Sequence, residues 1–206
     1  MEEYFKNLRE FRSRVVGIAT EGDSFSDKLL SLLILRYLLF LEAQAPIDNG
    51  IYESTMKLVE NIEQEESLDY FIHKLWLLNA INRYRCFVLH RYEEALDCNR
   101  KALAISFDLL NRKILQNDLE IKSSVLIFYF NKIRLLFYQK NYLRAKELLM
   151  QFDLLINQKI SAFEISDLKD HALSIDELVK RFDDGHRNYY LSKSEKLKAK
   201  IEITNE

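Results

Sequence analysis

An all-α chain of antiparallel helical hairpins is what this sequence predicts, on three observations. Four Gly and one Pro, Pro46, in 206 residues leave too little turn chemistry for a many-stranded sheet. Apolar side chains make up 48% of the chain, enough to bury a sizeable core and to exclude disorder. Apolar positions recur at helical spacing between short polar breaks, and one pattern of helix starts occurs twice. About eight to ten helices in a single helical domain over 1–206 are expected.

The first helix is expected over 1–19, ended by Gly22-Asp23-Ser24, where Ser24 or Ser26 caps the next helix. That second helix runs to about residue 45 and contains 29–41, which is nearly all apolar. The stretch is about seven residues short of the roughly 20 that span a bilayer, and Arg36 interrupts it. A buried core helix is therefore expected, covered by its own chain or by a partner, and no transmembrane insertion. Pro46-Ile47-Asp48-Asn49-Gly50 is the clearest loop, followed by a helix over 51–64. Ser67-Leu68-Asp69-Tyr70 restarts the pattern, with a long helix to about residue 90 and another from about residue 92. Asn117-Asp118 separates the latter from a helix ending near residue 138, and Lys140-Asn141 marks a tight turn before a helix over 142–159. One or two helices are expected over 161–182. Asp183-Asp184-Gly185-His186 then reads as a helix C-terminus with Gly185 in the left-handed position, before a last helix or solvated tail over 185–206.

The internal repeat is more specific. Arg91-Tyr92-Glu93-Glu94-Ala95-Leu96 and Asn141-Tyr142-Leu143-Arg144-Ala145-Lys146 share Tyr and Ala three apart, followed seven residues later by Ala102 and Phe152. The helices before them share Asn-basic-x-Arg, as Asn82-Arg83-Tyr84-Arg85 and Asn131-Lys132-Ile133-Arg134, and a weaker third copy lies at Tyr52 and Thr55. Over 68–159 the chain resembles the tetratricopeptide (TPR) family, in which a small residue lets two helices of a hairpin approach closely. Tyr84 and Ile133 stand where the family prefers Gly or Ala, and the copies start about 50 residues apart instead of near 34, so longer helices are implied. The resemblance implies hairpins stacked as a TPR-like alpha-solenoid, with the first helix of each hairpin lining a concave groove.

That groove supplies the candidate site. Asn82, Arg85, Asn131 and Arg134 on successive first helices would present amide and guanidinium donors to a peptide backbone or carboxylate, as carboxylate-clamp members of the family do. The plainer alternative is an ordinary solvated surface, or local pairing with Glu93 and Glu94. Phe128, Tyr129, Phe130, Phe137 and Tyr138 crowd one helix on more than one face. Core packing accounts for some of these rings, and Tyr129 and Tyr138 are the candidates for a partner surface.

Other chemistry is not indicated. The sequence has no Gly-rich phosphate loop, no His-x-x-x-His, no Cys-x-x-Cys and no Gly-x-Ser-x-Gly elbow. His73, His90, His171 and His186 are scattered, and Cys86 and Cys98 form neither a disulfide framework nor a metal set. No catalytic residue, metal or cofactor is therefore expected. The formal net charge of −2 gives no global attraction to nucleic acid, although Lys193, Lys196, Lys198 and Lys200 make a basic segment. The acidic start, Met1-Glu2-Glu3-Tyr4, lacks the basic region of a secretory leader, and a cytoplasmic location is expected. The function expected is a non-catalytic adaptor or scaffold for a protein or peptide partner. The rivals are a ligand-sensing helical-repeat regulator, and a helical-bundle enzyme or nucleic-acid binder.

Overall fold

The computed structural model describes residues 68–204, Val88 apart, and every regular element among these residues is helical. Six helices exceed a single turn: α1 (Leu68–Phe87), α2 (Tyr92–Asn111), α3 (Ser124–Tyr138), α4 (Tyr142–Ile156), α5 (Ala172–Lys180) and α6 (Asp184–Thr204). One α-turn, Leu119–Lys122, and three 3₁₀ turns fill the connections. The eight to ten helices expected were for the whole chain, and six is the count among the described residues. The helices expected over 1–19, 24–45 and 51–64, with the 29–41 stretch and the repeat copy at Tyr52, lie outside the described residues. Among those described, no helix is long and apolar enough to cross a membrane.

The chain divides into two compact units, with the division between Ala102 and Leu103 inside α2. In the first, α1 and the start of α2 form an antiparallel hairpin: as the α1 position advances from Leu78 through Asn82 to Arg85, its hydrogen-bonded α2 partner retreats from Cys98 and Asn99 to Glu94. Leu75, Ile81, Tyr84, Ala95 and Ala102 are fully buried there. Any larger side chain in place of Ala95 must displace its neighbours.

In the second unit α3 and α4 run antiparallel, since Tyr129 and Phe130 meet Phe152 while Phe137 meets Tyr142. Ala145, fully buried, takes the place that Ala95 holds in the first hairpin. α6 returns along α4: Tyr190 packs edge-on against Phe152, Arg187 donates to the Ile156 carbonyl at 3.1 Å, and Lys198 pairs with Asp153. Phe152 thus sits at the centre of three helices with no exposed surface, a burial that favours folding by about 1.5–3 kcal/mol. α5 closes the unit through Asp176, whose carboxylate accepts from the Ala162 backbone at 2.8 Å and from the Ser161 hydroxyl.

The shortage of glycine is met at the helix ends. α3 and α4 both stop in paired reverse bonds. Asn141 donates to Leu136 and Lys140 to Phe137, and likewise Lys159 donates to Leu154 and Gln158 to Leu155. That geometry needs a left-handed residue, and Lys140 (φ 63°) and Gln158 (φ 56°) supply it where glycine is usual.

Two expectations for the C-terminal region are corrected. Gly185 does not end a helix; it lies in the first turn of α6, and Asp183 accepts the His186 backbone N–H at 2.8 Å. A carboxylate before free helical N–H groups marks a start, which the Asp-Asp pair signals better than the glycine does. Of the last helix or solvated tail expected over 185–206, the helix is found and the tail is corrected: Tyr190, Ser194, Leu197 and Ile201 recur on one face of α6 and are buried.

Candidate functional site

The sequence-predicted donors divide by unit. In the first hairpin Asn82 is 4% exposed, and its amide donates to the Oδ1 of Asn99, itself 1% exposed, at 3.0 Å. Arg85 donates to the Glu94 carbonyl at 3.0 Å, and its Nε lies 3.6 Å from the Glu94 carboxylate. This corrects the groove assignment of Asn82: a buried amide has to be satisfied internally, and Asn99 does so. Arg85 takes the local pairing with Glu94 weighed above. These two residues fasten a hairpin. Cys98 belongs with them. Its thiol donates to the Leu78 carbonyl, and burial pushes its pKa up to about 11, leaving the neutral, unreactive form at physiological pH.

In the second unit Tyr129 is also corrected. It has no exposed surface, packs against Phe152, and burial, reinforced by the Asp167 charge, holds its hydroxyl well above the usual phenol range. Phe128 and Phe130 are buried with it. A helix that packs on several sides absorbs rings from several faces, so crowding of aromatics was not by itself a surface signal.

Arg134 and Tyr138 are different: they line an open cleft of about 190 Å³ between α3 and α6. Phe130, Arg134 and Tyr138 stand four residues apart on α3, and Lys193, Lys196, Leu197 and Lys200 follow i, i+3, i+4, i+7 on α6, so each helix offers one stripe. Phe130 and Leu197 are nearly buried and form an apolar floor. The walls carry four cationic side chains and no carboxylate. Lys193 is steered by Tyr189, to whose hydroxyl it donates at 2.5 Å while lying 4.0 Å from the ring centroid. Lys196 and Lys200 have no carboxylate partner among the described residues. The remaining lysine of the segment, Lys198, pairs with Asp153 of α4. Asn131 is half-buried and does not line the cleft.

A second groove, about 380 Å³, lies beside α5 and is lined by Lys159, Ser161, Glu164, Asp176 and Lys180 among others. Its carboxylates are engaged in capping: Asp176 holds Ser161 and Ala162, and Glu164 accepts the Ser161 N–H at 3.0 Å. Of the scattered histidines, His171 stacks on Phe107 and lies 3.3 Å from the Asn111 amide, and His186 contacts Asp183 at the α6 cap. Among the described residues, no three His, Cys, Asp or Glu side chains gather to hold a metal.

The α6 half of the cleft was missed by sequence reasoning, which read the four lysines as part of a solvated helix or tail. The available signal was the spacing of Lys193, Lys196 and Lys200 around Leu197, which puts three charges and an apolar residue on one helical face. No protein-family model, curated protein or solved structure matches this chain.

Proposed function

We propose that this chain is a non-catalytic binding module of TPR-like hairpins that holds a protein or peptide partner. The observation that carries the reading is the α3/α6 cleft, where Arg134, Lys193, Lys196 and Lys200 converge over Phe130 and Leu197. An apolar floor with a polar, charged rim is the anatomy of a protein contact. At about 190 Å³ the cleft is smaller than the roughly 300–1,000 Å³ of small-molecule sites, which favours a side chain of a longer partner over a free ligand. The fully buried Ala95 and Ala145 of the two Tyr-x-x-Ala segments support the hairpin part of the reading.

The test is a photo-crosslinking amino acid placed at Tyr138, in the cleft, and as a control at Ile114, which is 74% exposed and does not line it. Discrete protein adducts at position 138, absent at 114 and lost when Arg134→Glu is combined with Lys200→Glu, are expected. Adducts equal at both positions, or unchanged in the double variant, would overturn the reading.

A further inference from the structure

Resting on that reading of the cleft, we infer that its occupant is an acidic peptide segment with an apolar side chain set among its carboxylates. Four cations line the cleft in a chain whose net charge is −2, so the site locally reverses the sign of the molecule. Arg134 adds positive charge on the α3 side, and the lysines add point charges that follow a flexible chain. Between them Phe130, Leu197 and the Tyr138 ring provide room for one apolar side chain.

Spacing sets the pattern of the segment. From Lys193 to Lys200 the α6 axis advances about 10.5 Å, at 1.5 Å per residue. An extended peptide covers the same distance in about three residues, at about 3.3 Å each. Carboxylates roughly three residues apart, flanking one apolar residue, therefore reach both ends of the lysine stripe while the apolar group meets the floor. Sequence-tolerant binding of single-stranded nucleic acid relies on successive exposed rings for bases to stack on. Of the two rings lining this cleft, Phe130 is buried and only Tyr138 is partly open, which favours the peptide.

The experiment measures fluorescence anisotropy of a labelled nonapeptide, four glutamates around one central phenylalanine, with the full chain. Its comparisons are the same peptide with every glutamate replaced by glutamine, the same peptide with serine for phenylalanine, and a labelled oligothymidylate. The variant is Lys196→Gln with Lys200→Gln, both exposed, checked for unchanged helicity by circular dichroism. The acidic peptide should bind, weaken by about tenfold between low and 0.3 M salt, and lose about tenfold in the glutamine peptide and in the variant. The serine peptide should bind more weakly at every salt concentration. If the glutamine peptide binds as tightly as the acidic one, the occupant is not acidic, yet the peptide-binding reading stands. If no acidic peptide binds while Tyr138 still crosslinks to protein, this inference alone fails. Acidic-peptide binding unmoved by the variant also overturns it, by placing the site elsewhere. If the oligothymidylate binds more tightly than the peptide and the variant abolishes that, both the inference and the peptide reading fall.

Discussion

The two copies of Asn-basic-x-Arg begin alike in sequence and end in different employment. In α1 the motif faces the helix that follows it, and Asn82 and Arg85 close onto Asn99 and Glu94. In α3 the Arg134 side chain lies in a cleft whose other wall is built by the lysines of α6. The difference lies in what stands opposite. An amide and a carboxylate on α2 turn the first motif into a fastener, whereas a cationic stripe on α6 stands across the cleft from the arginine of the second. A repeat can therefore preserve residue types while the segment that stands opposite them changes.

The largest effect that sharpens this contrast belongs to the buried pair. Asn82→Ala removes the donor that Asn99 accepts from in a nearly dry site, and should lower stability by about 1–3 kcal/mol. Arg134→Ala, at a cleft wall, should change it by less than about 1 kcal/mol. Denaturant melts of both variants check this, and equal losses would break the division of labour between the motifs.

A smaller contrast lies within the second unit, between two buried tyrosines. Tyr190 donates to the Ser123 carbonyl at 3.2 Å, while the Tyr129 hydroxyl has no hydrogen-bond partner among the described residues. Tyr190→Phe should therefore cost about 0.5–1.5 kcal/mol, and Tyr129→Phe should be neutral or stabilising. Thermal midpoints that fall equally in both variants would remove the distinction.

The smallest effect separates the α6 cap from the cleft. Hydrogen bonds from the His186 backbone N–H, and next from its ring, hold the exposed Asp183 carboxyl below the usual value near 3.8. A carboxyl whose folded pKa is depressed contributes stability above its unfolded pKa and loses it as pH falls through the folded one. The thermal midpoint should thus decline below about pH 4 with a component that Asp183→Asn abolishes. An identical pH profile in the variant would mean that this cap contributes nothing measurable.

Helix boundaries were the most legible part of the chain. Asn117-Asp118 and Lys140-Asn141 mark the observed breaks, because a short polar pair interrupts an apolar period whatever packs around it. The Tyr-x-x-Ala pattern likewise pointed to Ala95 and Ala145 as buried positions, since a small residue at a fixed place in a helix start carries its own steric reason. Gly185 misled because glycine signals a helix end only where the chain needs a left-handed residue. Here Lys140 and Gln158 met that need elsewhere.

What the sequence alone determined was the helical class, the breaks, and the chemistry available on each helical face, all of which depend on neighbours within a few residues. Which face meets which was decided only by tertiary structure. Tyr129 and Tyr138 lie nine residues apart on one helix, yet the first is closed in against Phe152 and the second opens onto the lysines of α6. Lys198 and Lys200 are two residues apart, yet one pairs with Asp153 and the other lines the cleft. Local periodicity assigns a residue to a face, but the charge and shape opposite that face come from a segment some sixty residues away, and no local rule reaches that far.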